Sequence, residues 1–148
     1  MTPGIRSVNR LAVAKTATTN IVLATLGLAV PTGPGARHHV KWWVPFTQVG
    51  VAAGSRFQLI NPAAITSMVL SFFIWNLVTK AIDNAGLQVA SAAFLGTGAS
   101  AGNYLLQVEC EVINGVNAGS LDLQFAQNVS DVGTLTMLAG SWVEDVVF

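Results

Sequence analysis

Charged side chains are scarce in this sequence. Its 148 residues include seven Lys or Arg and seven Asp or Glu, together 9% of the chain, whereas about 25% is typical of soluble domains. The net charge is zero and hydrophobic residues make up 52%. A neutral, charge-poor surface protects weakly against association, so the composition favours a protein covered by copies of itself or by a larger assembly. Because no dense Lys/Arg cluster is present, we expect no nucleic-acid partner.

Residues that carry chemistry are also few. The single cysteine, Cys110, excludes a disulfide within the chain and falls on the apolar side of an alternating segment, where a buried thiol is usual. His38 and His39 are adjacent and would face opposite ways in a strand, so they cannot share a metal, and we predict that they are solvated. The carboxylates match neither a glycosidase pair nor a calcium loop. We therefore predict no enzyme activity, no catalytic residue, no metal and no cofactor.

Unbroken hydrophobic runs of membrane-spanning character are missing as well. Residues 57–79 lack charge and are long enough for a spanning helix of about 20 residues, but Asn61 and Pro62 favour a turn inside the run. Residues 16–36 superficially resemble a signal peptide, yet their apolar core, residues 21–30, is short and interrupted. The alternative of a membrane span or signal is therefore the weaker one, and we expect no membrane partner.

The strongest pattern present is a period of two. Leu106, Val108, Cys110 and Val112 alternate with polar residues, and so do Leu121, Leu123 and Phe125. Such alternation places one set of side chains on a buried sheet face. The connecting residues 114–120 are rich in Asn and Gly, so the two runs are predicted to form an antiparallel hairpin. Glu109, Glu111 and Asp122 would then share its exposed face.

Short strands and turn signals recur along the rest of the chain, and no segment keeps a helical period. Strands are predicted at residues 21–30 (broken at Gly27), 39–46, 57–60, 68–77, 87–95, 135–138 and 142–148. Pro45 predicts that the 39–46 strand lies at a sheet edge, and residues 83–86 are predicted to turn. Eight to ten such strands predict an all-β fold: an antiparallel β-sandwich of jelly-roll type.

The N-terminus differs from the rest in its basic residues. Residues 1–19 hold three of the seven Lys or Arg and lack a sustained apolar face. They are predicted to form an extended arm that tethers the protein to a neighbour, ahead of a single sandwich domain at residues 20–148. The alternative is that Val8, Leu11 and Val13 add an edge strand to the sheet.

Three features of the sequence carry a resemblance to a known family. They are the Ala14-Lys15-Thr16-Ala17-Thr18-Thr19 segment, the aromatic strand with Trp42 and Trp43, and a C-terminal run from Asn117 to Trp142 that contains Ala126-Gln127-Asn128, Ser130-Asp131, Thr134 and Ala139-Gly140-Ser141-Trp142. In these the chain resembles virion proteins of tailed bacteriophages found beside the capsid gene. The C-terminal forty-odd residues match most closely. The strand at Phe72-Phe73-Ile74-Trp75 is more apolar than the family pattern.

The resemblance implies a capsid decoration or cement protein without an active site. Such a protein would be made in the host cytoplasm and sit on the outer capsid surface of the virion as a homotrimer, bridging subunits of the major capsid protein. The alternatives are a tail or head-fibre base protein, or a small trimeric module that binds a glycan or receptor. Because aromatic residues are enriched at interfaces, the candidate interface residues are Arg6, Arg10, Lys15, Trp42, Trp43, Phe73 and Trp75.

Overall fold

The chain forms an all-β structure, and strands account for most of the described residues. A computed structural model describes residues 5–17, 23–50, 54–60, 65–89, 94–95, 101–129 and 132–148. The strands in these ranges are β1 (Ile5–Arg10), β2 (Lys15–Ala17), β3 (Ala24–Thr25), β4 (Val30–Thr32), β5 (Arg37–Val49), β6 (Ser55–Ile60), β7 (Ser67–Asn76), β8 (Ala81–Gln88), β9 (Phe94–Leu95), β10 (Gly102–Ile113), β11 (Gly119–Gln127), β12 (Thr134–Met137) and β13 (Trp142–Val147).

Two antiparallel sheets form the sandwich. In the larger sheet, β1 pairs with β13, β13 with β5, β5 with β10, β10 with β7, and β7 with β8, while β12 pairs with β5 and with β2. In the smaller sheet, β11 lies between β6 and the successive strands β3 and β4, and β6 also pairs with β9. Strands β1 and β2, β3 and β4, and β12 and β13 are therefore halves of three interrupted strands. This confirms the predicted β-sandwich.

The connectivity is that of a jelly roll with one added hairpin. When the interrupted strands are counted once and β7 and β8 are set aside, eight strands remain, and their sequence order across the sheets is 1-8-3-6 in one and 2-7-4-5 in the other. This is the double Greek-key arrangement of a jelly roll. The hairpin of β7 and β8 lies between β6 and β9 in the chain and extends the larger sheet beyond β10. The larger sheet is thus six strands wide.

The core fills the space between the sheets and follows the alternation of the sequence. Inward-facing side chains of β5, β10 and β7 are buried in turn, and so are those of β6 and β11 from the other sheet. The largest buried side chains are Trp42, Tyr104, Phe46, Phe57 and Phe125. The Phe46 ring contacts the Tyr104 ring on its own sheet and the Phe57 ring on the opposite sheet. Aromatic packing therefore joins the two layers.

The prediction of a hairpin between residues 106–112 and 121–125 is wrong. β10 belongs to the larger sheet and β11 to the smaller one, so the connection crosses between the layers. Asn114 is buried in this crossing, and its side-chain amide donates hydrogen bonds to the carbonyls of Gly33 and Asn117, each at 2.8 Å. Alternation indicates that one face of a strand is buried, but both sheets bury a face in the same core. The pattern therefore cannot identify the pairing partner, and Asp122 does not share a face with Glu109 and Glu111.

Pro45 does not mark an edge, because β5 lies between β10 and the β12–β13 pair. The proline faces the break between β12 and β13, where residues 138–141 bulge and the Leu138 N–H donates to the Pro45 carbonyl at 2.9 Å. At a bulge the missing N–H of proline leaves no ladder position unpaired. The same place interrupts the neighbouring strand, where buried Leu11 exchanges backbone bonds with Gly140 and Ser141.

The turn predicted at residues 83–86 is also wrong, since these residues lie inside β8. The chain turns at residues 77–80 instead, where Lys80 adopts a left-handed backbone with φ of 57°. Gly86 serves a close approach, because a Cβ at this position would lie 2.8 Å from the Phe72 ring. Of the strand predicted at 87–95, the described residues show only the end of β8 and the short β9.

The prediction of an N-terminal tether is wrong for the described part of residues 1–19. Strand β1 pairs along its length with β13, and β2 pairs with β12, so this segment is the outer strand of the larger sheet. Among residues 6–16, every side chain except that of Leu11 is nevertheless exposed. Backbone pairing and one buried leucine thus attach this segment to the sheet, although it lacks an apolar face. The alternative of an edge strand describes it correctly.

The uncharged stretch at residues 57–79 covers most of β6 and all of β7. Within the ranges that the structure describes, no helix has the length and apolar character needed to cross a membrane.

Candidate binding face on the larger sheet

The outer face of the larger sheet carries a line of side chains that crosses all six strands, here named the aromatic row. Its members lie directly opposite one another in the strand registers, from β1 through β13, β5, β10 and β7 to β8. They are Arg10, Trp142, Trp43, Gln107, Phe73 and Ala85. Odd-numbered residues of β5 and β10 and even-numbered residues of β13 point outward together, because each strand buries the alternate set in the core.

Two contacts hold three side chains of the aromatic row in place: Trp43, Trp142 and Gln107. The rings of Trp43 and Trp142 lie nearly parallel, with centroids 6.1 Å apart and 5° between their planes. From the neighbouring position on β7, the indole N–H of Trp75 donates to Oε1 of Gln107 at 2.8 Å. This bond leaves the amide nitrogen of Gln107 as a donor of known position. Trp43 is 38% exposed despite its stacking, so a large aromatic surface is held in place yet open.

A groove follows the aromatic row on both sides of Trp43 and Gln107. One cavity of about 300 Å³ is lined by Trp43, Trp142, Phe73 and Gln107 together with Lys41, Ser71 and Glu109. A second, of about 390 Å³, is lined by Trp43, Gln107, Trp75, Asn76, Leu77, Lys80 and Leu105. Because both share Trp43 and Gln107, they adjoin. Each has the size and the mixed aromatic and polar lining of a small-molecule site.

Charged side chains are concentrated beside the aromatic row. In the adjacent row, Nζ of Lys41 lies 3.2 Å from Oε1 of Glu109, and Nε2 of His39 lies 2.7 Å from the same oxygen. Burial alone would raise the pKa of Glu109, but hydrogen bonds and charge from His39 and Lys41 outweigh it, and the pKa is lowered from its usual 4.5. Further ion pairs on this face join Arg37 to Glu111 at 2.8 Å and Arg6 to Glu144 at 2.7 Å.

The predicted interface residues divide into three groups. Trp43 from β5 and Phe73 and Trp75 from β7 line the groove together, on either side of β10. Arg6 and Arg10 lie on β1 at the margin of the same face, whereas Lys15 lies on β2 close to Gly27. Trp42 is 1% exposed and its indole N–H points to the Leu28 carbonyl at 3.4 Å. Its side chain belongs to the core, so Trp42 is removed from the candidate surface.

Two members of the site, Gln107 and Trp142, were not singled out as site residues from the sequence. Both lie in segments whose strand character was predicted, on the outward side of the alternation. What placed them beside Trp43 is the pairing of β5 with β10 and β13. The available signal was that Trp142 is a second tryptophan on the outward side of a predicted strand. The strand register that brings it beside Trp43 depends on the tertiary structure.

One buried pair elsewhere resembles part of a catalytic site. Nδ1 of His38 lies 3.0 and 3.1 Å from the two carboxylate oxygens of Asp145, and its Nε2 has no hydrogen-bond partner. The prediction of a solvated histidine is therefore wrong for His38. A histidine oriented by a carboxylate is the base of many hydrolases, but the His38 ring is 2% exposed. A substrate cannot reach it in this structure.

The remaining reactive groups are held in unreactive settings. Burial, with a smaller contribution from the charge of Glu111, raises the pKa of the Cys110 thiol to about 12, so the thiolate form is rare at neutral pH. Burial also raises the pKa of Asp122, although backbone N–H groups and the charge of Lys15 oppose the increase. No group of three or more metal-binding side chains occurs within the described residues.

Comparison with known proteins gives no family assignment. No protein-family model matches the chain, and no curated protein matches it. A chain in a solved structure of infectious bursal disease virus, Gx strain, aligns with 97% of this chain at 7% identity and a TM-score of 0.28. The alignment covers 36% of that chain, so the present chain spans little more than a third of its length. Similarity at this level carries no argument about function.

Proposed function

We propose that the chain is a structural protein of a tailed-phage virion, a decoration or cement protein that attaches to the outer capsid surface and bridges major capsid protein subunits. Its sequence resemblance supports this assignment. The structural observation that supports it is that the two edges of the larger sheet differ in the side chains they expose. Such a protein stabilises the shell because it binds only the assembled state.

The residues behind the resemblance have structural roles in this fold. The side-chain amide of buried Gln127 donates to the Gly133 carbonyl, which fixes the connection between β11 and β12. A Cβ at Gly133 would overlap the Val49 carbonyl oxygen. The Ser141 hydroxyl donates to the Leu138 carbonyl at 2.7 Å beside Gly140, whose φ is 87°. The resemblance therefore rests on residues that specify this part of the jelly roll, while Ser130 and Asp131 lie outside the described residues.

The two edges of the larger sheet differ in their protection. At one edge, β1 presents the charged residues Arg6 and Arg10 on either side of Val8, which is 51% exposed. At the other edge, β8 pairs only with β7 among the described strands, and its exposed side chains include Ile82 and Leu87, the latter 78% exposed. Soluble proteins usually protect an edge with charge, proline or a covering segment.

Two exposed hydrophobic side chains on β8, beside the single charged residue Asp83 of that strand, support association with a second copy of the chain. Backbone groups of β8 that face away from β7 can pair with a strand of another protomer, while Ile82 and Leu87 lose contact with water. In a homotrimer each protomer would present β8 to a different surface of the next, because closed rings of three use heterologous contacts. The composition of 52% hydrophobic and 9% charged residues fits this assembly.

The oligomeric state tests the association. We expect the wild-type chain to sediment as a trimer at micromolar concentration, and Leu87→Lys to yield monomers because a lysine ammonium resists burial in an apolar contact. The matched control is Val8→Lys on the protected edge, which should leave the trimer intact. A monomeric wild-type protein, or equal dissociation by both variants, would contradict the proposed edge contact.

The copy number per virion tests the place in the particle. A cement protein should be present in hundreds of copies, and particles lacking it should disrupt at lower temperature and recover when the purified protein is added. A handful of copies would instead favour the alternative of a tail or head-fibre base protein. An absence from purified virions would contradict both structural assignments.

A further inference from the structure

The groove along the aromatic row combines chemical groups that an assembly contact alone does not require. Aromatic rings and fixed polar groups alternate within it: Trp43 between Trp142 and Gln107, and Gln107 between Trp43 and Phe73. The Gln107 amide is oriented by the indole N–H of Trp75, and its nitrogen is left to donate to a second partner. Lys41 and Glu109 line the same cavity with a charged donor and a charged acceptor.

We propose that this groove is a carbohydrate-binding site, in which pyranose rings of an oligosaccharide stack on Trp43 and hydrogen-bond to Gln107. A pyranose ring has an apolar face of C–H groups and a rim of hydroxyl groups, so it needs an aromatic surface flanked by donors and acceptors. The two adjoining cavities, of about 300 and 390 Å³, provide room for successive rings of one chain on either side of the Trp43–Gln107 pair.

Other classes of ligand fit the groove less well. A fully apolar occupant would leave the amide nitrogen of Gln107 without a hydrogen-bond partner in a covered site, which is costly. Single-stranded nucleic acid also stacks on aromatic rings, but it requires a cationic groove for its phosphates. Here two cations, Lys41 and Lys80, and one carboxylate, Glu109, line the groove, and Glu109 lies 3.2 Å from Lys41, so the lining is close to electrical balance. A neutral oligosaccharide matches this balance.

The added hairpin supplies one wall of the groove. Phe73 and Trp75 come from β7, and Asn76, Leu77 and Lys80 come from the end of that strand and the turn that follows it. The jelly roll without β7 and β8 would keep Trp43, Trp142 and Gln107 but would leave the groove open on that side. The segment whose apolar character departs from the family pattern is thus the one that encloses the site.

Titration with defined oligosaccharides tests the proposal. The probes are cellohexaose, maltohexaose and chitohexaose, with sorbitol as a polyol that has hydroxyl groups but no ring. We expect at least one hexasaccharide to bind with a dissociation constant below about 1 mM. In ¹H–¹⁵N spectra it should shift the indole signals of Trp43, Trp75 and Trp142, while that of core Trp42 stays in place. Sorbitol should shift none.

Two variants and a matched control sharpen the test. Trp43→Ala should weaken binding at least about tenfold because the stacking surface is lost, and Gln107→Leu should do the same because the hydroxyl partner is lost. Phe148→Ala removes another exposed aromatic side chain from a separate cavity beside Arg37 and Glu111, and it should leave the affinity unchanged. Cooperative thermal unfolding, with a Tm lowered by no more than a few degrees for Trp43→Ala, would show that the variants remain folded.

Several outcomes would overturn the proposal. They are the absence of shifts with all three hexasaccharides at about 10 mM, equal shifts with sorbitol, or undiminished binding by Trp43→Ala. Dissociation of the oligomer by Trp43→Ala would show that the groove is an interface between copies. The site does not depend on the proposed virion function, because Leu87→Lys should disrupt assembly and keep the oligosaccharide affinity.

Discussion

Trp42 and Trp43 are consecutive residues of one strand, yet they occupy opposite environments. Trp42 is 1% exposed among the core side chains, whereas Trp43 is 38% exposed in the groove on the outer face. Since successive residues of a strand point to opposite faces, one peptide bond separates a residue that holds the sheets together from one that is available to a partner. The inner face of the larger sheet thus carries the core packing, whereas the outer face carries the proposed binding groove.

The same division appears one strand away, at Glu144 and Asp145. Glu144 pairs with Arg6 at the surface, whereas Asp145 is buried with His38 between the sheets. On the outer face, ion pairs are solvated and change little in free energy when broken. On the inner face, a polar group that loses its partner has no water to replace it. Substitutions on the inner face should therefore lower the free energy of unfolding more than substitutions on the outer face.

The largest expected effect is at the two tryptophans. Trp42→Ala should lower the free energy of unfolding by about 3–5 kcal/mol, because it removes a fully buried aromatic side chain and leaves a cavity. Trp43→Ala should lower it by about 1 kcal/mol, which is the loss of its stacking on Trp142. Urea denaturation of both variants measures the difference. Equal losses would show that the outer face is part of the folding core and would break the comparison.

A smaller difference is expected at the neighbouring carboxylates. Asp145→Ala should lower the free energy of unfolding by about 3 kcal/mol, because His38 then keeps neither ring nitrogen paired in a buried position. The control Glu144→Ala removes only the Arg6 pair and should stay within about 0.5 kcal/mol of wild type. Thermal unfolding at a fixed pH provides the measurement. A loss at Asp145 as small as that at Glu144 would mean that water satisfies His38 in the variant.

From the sequence, we predicted which face of each strand is buried more accurately than we predicted which strands pair with each other. The outward position of Trp43 and the inward position of Cys110 follow from a period of two, which is local information. The assignment of β10 and β11 to different sheets does not, because both strands bury one face in a shared core. The prediction from Pro45 was wrong for a related reason. Its missing N–H requires a gap in the hydrogen-bond ladder, and such a gap occurs at a sheet edge or, as here, opposite a bulge in the neighbouring strand.

The groove was only partly predictable for the same reason. Trp43, Phe73 and Trp75 were identified because three large aromatic residues could not all fit one small core. Gln107 has no feature of its own in the sequence, and its role arises from the register of β10 between β5 and β7. His38 was missed because its partner Asp145 is 107 residues away. Pairing between segments that are distant in the sequence decides these contacts, and this pairing cannot be read from a single sequence.

The smallest expected effect concerns the outer face and its pH dependence. Because the folded pKa of Glu109 is lowered from 4.5, its ionised form stabilises the fold above that pH, and the contribution is lost as the pH falls through the folded pKa. Glu109→Gln should therefore be less stable than wild type by about 0.5 kcal/mol at pH 7, with the difference vanishing under acid. High salt should reduce the pH 7 difference, since half-exposed charges are screened. Denaturation curves at pH 7 and pH 3 measure both effects, and a difference that grows at pH 3 would contradict the lowered pKa of Glu109.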